Sequence, residues 1–363
     1  FFTKKMKHKL KKFGFIFNRK IPVDKFLEKA LYEPKVGYYN NRIPFGKNGD
    51  FVTSPTISNL FSEILAVWII STWEKFEKPE TFNLVELGPG DGSLTKVLIQ
   101  TFRKFPKFNK SVKIFLYEKS NLLKKIQKKK IASDQIKWIK NYNSIKKGPI
   151  VFIGNEFFDA IPIKQFLIKN KKFLEKCYLL KRDTLIETYK RASSIDISDI
   201  KSFNALKRQN FVEFPKSGFI ELNKIIKKIS TLSGGILLID YGYLKSFNGA
   251  TLQAVKKNKK IKMDNLLNHI GKVDITYLVN FNLLKEFFEK NNLKVKNIVT
   301  QKFFLETMGI IERAKIIERK MNEQQRKDML LTLKRLLHEN SMGELFKVIF
   351  AHNYKNNNFL GFE

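Results

Sequence analysis

Leu84-Val85-Glu86-Leu87-Gly88-Pro89-Gly90-Asp91-Gly92-Ser93-Leu94 is the stretch that decides the fold of this chain. It closes an apolar run, Phe82 to Leu87, and opens a segment, Leu94 to Phe105, whose apolar residues recur at helical spacing. Gly88 and Gly90 permit backbone conformations and a close approach that a Cβ would obstruct, and Asp91 or Ser93 can cap the helix that follows. Strand, glycine turn and helix in that order let a ligand rest on bare backbone at the carboxyl end of a strand.

The same alternation continues outward. Val112 to Tyr117 reads as a strand, Leu122 to Lys130 as an amphipathic helix and Ile150 to Ile153 as a buried strand, which is the pattern of a mostly parallel sheet in an α/β fold. Lys164 to Leu180, Thr184 to Tyr189 and Phe211 to Phe214 read instead as an inserted antiparallel patch. Core patterning resumes with helix Phe219 to Ile229, strand Gly235 to Asp240, a loop-rich stretch from Tyr241 to Gly271, helix Ile275 to Asn291 and a charged helical segment, Ile310 to Leu337. Upstream, Val23 to Leu31 and Ile57 to Phe76 predict helices separated by a long turn-rich loop. The expected organisation is an N-terminal helical layer over 1–80 and a Rossmann-like domain over 81–363, with insertions at about 164–215 and 243–275.

Composition bounds the function. The 363 residues are 43% hydrophobic, with 34 phenylalanines, enough to bury a substantial core. The single cysteine, Cys177, excludes an intramolecular disulfide and fits a reducing compartment. Four scattered histidines form no ligand spacing, so no metal is expected. The net charge of +35 would attract nucleic acid or an anionic membrane surface, but lysine spread along the chain with asparagine, as in Lys355-Asn-Asn-Asn358, reads as compositional drift. No apolar run reaches the roughly 18 to 20 residues of a membrane span. Residues 1–20 are basic and without acids, and read as an irregular arm.

The loop's chemistry narrows its ligand. A nicotinamide loop would read GxGxxG, whereas position 93 is serine and the acid Glu86 lies beneath the turn. That carboxylate would repel a pyrophosphate, yet suits the ammonium and sulfonium end of S-adenosylmethionine. Glu118, at the end of the next strand, can accept hydrogen bonds from two ribose hydroxyls. Gly154-Asn155-Glu156-Phe157-Phe158-Asp159 follows the next buried strand, where two carboxylates, an amide and two rings can orient a planar cation. Glu156 and Asp159 can equally cap a helix; their position favours a functional role for at least one.

At these residues the sequence resembles the MidA-like methyltransferases, a family that includes a mitochondrial complex I assembly factor acting on arginine. The resemblance runs through Leu31-Tyr-Glu-Pro-Lys-Val-Gly-Tyr-Tyr39, Gly49-Asp-Phe-Val-Thr-Ser-Pro55, Glu86-Leu-Gly-Pro-Gly90, Asn155-Glu-Phe-Phe-Asp-Ala160, Asp240-Tyr-Gly242, Thr251-Leu-Gln253, Gly271-Lys-Val-Asp-Ile-Thr276 and Met342-Gly-Glu-Leu-Phe-Lys347. It implies a seven-stranded methyltransferase sheet, S-adenosyl-L-methionine as donor and a protein arginine as acceptor, in a respiratory complex I subunit or its bacterial counterpart. The expected setting is the mitochondrial matrix or a bacterial cytoplasm, and the expected assembly includes a homodimer. The sites to test are Glu156 and Asp159 for catalysis; Glu86, Gly88, Gly90, Gly92, Glu118, Asn155, Thr53 and Ser54 for the cofactor; and Phe157, Asp240, Tyr241 and Asp274 for the acceptor pocket. The loop Gly49 to Ser58, with Asp50, reads as a closing segment or an ordinary turn, and Glu63 and His269 are further candidates. The chain departs from the family pattern at Thr56, where Glu is usual, at Asn280, where Asp is usual, and at Thr300-Gln-Lys302, where Gly is usual. The competing readings are a nucleic-acid methyltransferase, disfavoured because the Asn/Asp-Pro-Pro-aromatic sequence is missing, and a non-catalytic assembly protein that keeps the fold.

Overall fold

The computed structural model describes residues 4–42, 53–181, 184–245, 247–256, 259–261 and 266–363, and the side chains from residue 8 onward. Its contacts divide into two compact units: 1–51, 159–222 and 244–278 form one, and 52–158, 223–243 and 279–363 the other. This division departs from a cut at residue 80, because the segment ahead of Phe51 goes with the insertions and Val52 onward goes with the sheet.

The larger unit holds the parallel sheet. Its strands are β1 (Phe82–Leu87), β2 (Val112–Tyr117), β3 (Ile136–Ile139), β4 (Ile150–Asn155), β5 (Gly234–Tyr243), β6 (Lys294–Val295) and β7 (Phe346–His352). They run in the order β3-β2-β1-β4-β5-β7-β6, and the short strands Val279–Asn280 and Val299–Thr300 pair with β5 and β7 respectively. β1 to β5 are parallel, while β7 runs antiparallel against both β5 and β6. Every residue of β1 is buried, which is why the run is apolar on both faces. The chain leaves β1 towards β2 on one side while β4 pairs on the other, so the crevice at the carboxyl ends of β1 and β4 is the switch point where ligands bind.

Helix Asn59–Lys75 buries Leu60, Phe61, Ile64, Leu65, Trp68, Ile69 and Trp73 in this unit's core. Its start is set by Ser58, whose hydroxyl accepts the Leu60 amide, so the helix expected from Ile57 is interrupted there and residues Ser54–Ile57 form a separate turn. The helix expected over Ile275 to Asn291 is likewise shorter. Asp274–Thr276 and Val279–Asn280 are strands, and the helix begins at Phe281 because Asn280 caps it through the Leu283 amide. Asn280 thus does what an Asp would do at that position, and its departure from the family pattern leaves the cap intact.

In the smaller unit, Lys164–Lys169, Lys172–Lys181, Thr184–Arg191 and Phe211–Phe214 form the expected antiparallel patch. Of the basic segment read as an irregular arm, residues 4–20 are ordered. Lys4–Lys12 is a helix, Leu10, Phe13 and Phe15 are buried, and Lys20–Pro22 adds a strand to the patch by pairing with Leu179 to Cys177. The stretch read as loop carries a second small sheet, Gln253–Lys256 between Lys259–Ile261 and Asp274–Thr276. Asp50 lies outside the described residues.

Candidate active site

The loop after β1 is held open by its own backbone. Gly88, Gly90 and Gly92 have φ of +63°, +55° and +83°, the left-handed region where a side chain is strained. At Gly88 an added Cβ would also lie 3.0 Å from the Phe157 ring, and at Gly92 one would lie 2.9 Å from Ile131. The turn is pinned by the Gly88 amide donating to Tyr117 O (3.0 Å) and by Asp91, which accepts from the Ser93 amide (2.9 Å) and pairs with Lys130 (2.5 Å). The helix Ser93–Phe102 starts from Gly92 without a side-chain cap, and of the two residues expected to cap it Asp91 accepts the Ser93 amide from the position before Gly92.

Glu86 sits beneath the turn, 4% exposed, and accepts a hydrogen bond from the Thr95 hydroxyl in the following helix. Burial pushes its carboxyl up to about 7, with Asp91 and Glu118 adding to the rise and the Thr95 bond opposing it. Glu118 follows β2. One of its oxygens accepts from the Ser120 amide (2.7 Å) and the other from Gln127 Nε2 (3.2 Å). Burial raises its pKa, and these donors pull against that rise. The Lys119 amide is a further donor, and the carboxylate retains acceptor capacity for the ribose hydroxyls.

At the end of β4 the backbone turns sharply. Glu156 takes φ +51°, and its amide donates to Ile239 O (2.9 Å). A glutamate in this region costs on the order of 1 kcal/mol or more, a strain that clusters at functional sites. Its Oε1 accepts from the Ser54 amide and from Asn155 Nδ2, both at 3.3 Å. Asn155 Oδ1 is buried with no hydrogen-bond partner, an acceptor left for a ligand. Ser54, fully buried, donates through Oγ to Gln301 Oε1 (3.3 Å), and Thr53 lies beside it, 3.3 Å from Thr56 Oγ1. The structure therefore brings Glu86, Gly88, Gly90, Gly92, Glu118, Asn155, Glu156, Phe157, Thr53 and Ser54 into one unit around the switch point.

Other candidates have structural partners. Asp240 is 1% exposed and accepts the Phe158 amide (2.9 Å) and the Tyr241 amide (3.0 Å), tying β5 to the turn after β4; the Tyr241 ring packs on Phe346. Glu63 is paired with Arg313 (2.7 Å). Asp159 and Asp274 belong to the smaller unit. There Thr276 donates to Asp159 Oδ2 (2.7 Å), Tyr39 donates to Asp274 (2.9 Å), and the Tyr39 ring stacks on Tyr32. His269 ends the short helix Leu266–His269 in that unit. Sequence reasoning missed Thr95 and Gln127, polar residues within two expected helices, and marked Gln301 only as part of a departure from the family pattern; all three are fully buried. Among the described residues, no group of three or more His, Cys, Asp or Glu is placed to hold a metal.

The residues fit S-adenosylmethionine: a bare glycine turn, a buried acid at the carboxyl end of each of two adjacent strands and an orphaned amide oxygen at the end of a third. A switch-point loop of this chemistry on a sheet ordered β3-β2-β1-β4-β5-β7-β6 defines a Rossmann-like S-adenosylmethionine-dependent methyltransferase. Residues 64–299 match the family described as "Putative S-adenosyl-L-methionine-dependent methyltransferase", and the chain belongs to that family. It is 28% identical to the Xenopus laevis protein arginine methyltransferase NDUFAF7, mitochondrial, over 90% of this chain and 80% of that protein. The human protein of the same name is 27% identical over 90% of this chain and 78% of its own length. A Burkholderia thailandensis structure bound to S-adenosyl-homocysteine shares the fold, with TM-score 0.77 and 21% identity over 95% of this chain and 89% of that one.

Proposed function

We propose that this methyltransferase acts on an arginine side chain of a protein, with Glu156 as the carboxylate that holds the guanidinium and takes its proton. The observation that carries the reading is the strained Glu156 at the end of β4, engaged by the Ser54 amide beside the glycine loop. The names of the relatives, protein arginine methyltransferases, support the acceptor. The relatives are named as mitochondrial, which supports a mitochondrial setting. The proposal extends to the matrix or a bacterial cytoplasm, to a complex I subunit or its bacterial counterpart as the acceptor protein, and to a homodimer as the assembly.

S-adenosylmethionine supplies an electrophilic methyl group on a positively charged sulfur. What the chain must do is align the acceptor nitrogen, exclude water and receive a proton. A guanidinium keeps its proton to a pKa above about 12, so a carboxylate within hydrogen-bond reach must orient it and neutralise the charge as the bond forms. Glu156 has the Ser54 and Asn155 donors to fix its carboxylate, while Asn155 Oδ1 remains as an acceptor. Asp159, three residues on, is the second candidate base. Glu156→Gln is expected to bind S-adenosylhomocysteine as wild type does by calorimetry, while methylation of arginine in mitochondrial or bacterial extract falls by a factor of about 100 or more. Full activity in that variant would remove Glu156 from the mechanism.

A further inference from the structure

Helix Asn121–Ile131 carries one fully buried polar side chain, Gln127, amid a run of lysines. Its amide is used at both ends. Nε2 donates to Gly90 O (2.8 Å) in the glycine loop and to Glu118 Oε2 (3.2 Å), while Oε1 accepts from Trp138 Nε1 (2.9 Å) on β3. The indole N–H has no acceptor role, so it fixes which way the amide points: the carbonyl must face Trp138 and the NH2 must face the loop and the acid. One planar group thereby sets the distance between the loop that carries the cofactor and the carboxylate that reads its ribose.

We infer that Gln127 is a positioning residue for the cofactor's ribose, locked in orientation by Trp138 and acting through Glu118. The inference rests on the assignment of Glu118 to the ribose hydroxyls. Glu118 must stay ionised in a buried place if both oxygens are to accept from the diol, and burial works against that. The Ser120 amide and Gln127 are donors that offset the burial, and Gln127 is the one supplied from outside Glu118's own turn. Without it the carboxyl takes up a proton at higher pH and presents a donor where the ribose needs an acceptor.

The test uses S-adenosylhomocysteine and its analogue lacking the 2′ and 3′ hydroxyls, titrated calorimetrically into the full chain and into Gln127→Met across pH 5 to 9. Wild type is expected to prefer the hydroxylated ligand. Gln127→Met is expected to bind S-adenosylhomocysteine about tenfold more weakly, as loss of a hydrogen bond to a charged group implies. It should weaken binding of the dideoxy analogue less, because that ligand feels only the lost contact to Gly90 O, and the acid limb of its affinity profile should move to higher pH. Gln127→Glu keeps the side chain's size and the Trp138 acceptor, and serves as the second variant should methionine impair folding. Its introduced carboxylate repels Glu118, so its preference for the hydroxylated ligand is expected to recover as pH falls and the two acids share a proton. Equal weakening of both ligands by both variants, or no weakening, would overturn the inference. Wild type that fails to distinguish the ligands would instead overturn the ribose assignment on which it rests.

Discussion

Glu86→Gln is expected to stabilise the protein above neutral pH while leaving it unchanged in acid. The Glu86 carboxyl is buried at 4% exposure, and its pKa is raised from 4.5 to about 7. Below pH 4.5 the folded and unfolded states both hold the proton, so burial of the neutral acid carries no ionisation penalty. As pH rises through the window from 4.5 to about 7, the unfolded chain ionises first and stability is lost. Above that window the loss is complete. A shift of about 2.5 units at 1.36 kcal/mol each corresponds to roughly 3 kcal/mol. Glutamine cannot ionise, has nearly the same volume and still accepts from the Thr95 hydroxyl. Urea unfolding of the cofactor-free protein, followed by tryptophan fluorescence at half-unit pH steps, gives the variant-minus-wild-type difference. That difference should rise by about 3 kcal/mol between pH 4.5 and 8, other titrating groups cancelling. A flat difference would refute the reasoning, since it would mean that the folded protein accommodates the Glu86 anion as readily as water does.

Two further outcomes follow from the same loop. At pH 7 Glu86 holds about half a proton, so binding the cationic end of S-adenosylmethionine beside it should release on the order of half a proton per ligand. Calorimetry in buffers of different ionisation enthalpy reads this directly; absence of release would leave Glu86 as a brace for Thr95 alone. Gly92→Ala forces a side chain onto φ +83° and 2.9 Å from Ile131, so a loss of about 1 to 2 kcal/mol in stability and weaker S-adenosylhomocysteine binding are expected. A variant with wild-type melting and affinity would show that the loop does not need glycine there.

The parallel sheet and glycine turn were legible because strands buried on both faces read as continuous apolar runs, and alternating glycines stand out locally. β3 was missed because Ile136–Ile139 is only four residues with an exposed lysine, and β7 because its antiparallel partners β5 and β6 are remote in sequence. The N-terminal segment was misread for the same reason: Phe13 stacks on Phe15, whose ring packs on Phe26 and, through it, on Tyr178. Lysine-rich composition hid that apolar face.

The site shows a sharper limit, one of partners and not of position. Asp240 and Glu156 both read as acids at the carboxyl ends of parallel strands. In the fold Asp240 is almost wholly buried, with one oxygen on the Phe158 amide and the other on the Tyr241 amide. A carboxylate bound in this way holds backbone and has little left for a substrate. Glu156 is partly exposed, engaged at 3.3 Å rather than 2.9 Å, and strained at φ +51°. The departure at Gln301 is decided by partners as well: its amide bonds Leu336 O (3.0 Å) and Ser54 Oγ (3.3 Å) beneath the turn whose Ser54 amide meets Glu156. The glutamine adds a bridge that the glycine usual in the family has no side chain to make, and it does so without touching the glycine loop's own hydrogen bonds. Of the changed residues, Gln301 reaches a support of Glu156 through Ser54, whereas Thr56 bonds Thr53 O and Asn280 caps the helix that follows it, so each departure is answered by a local partner of its own.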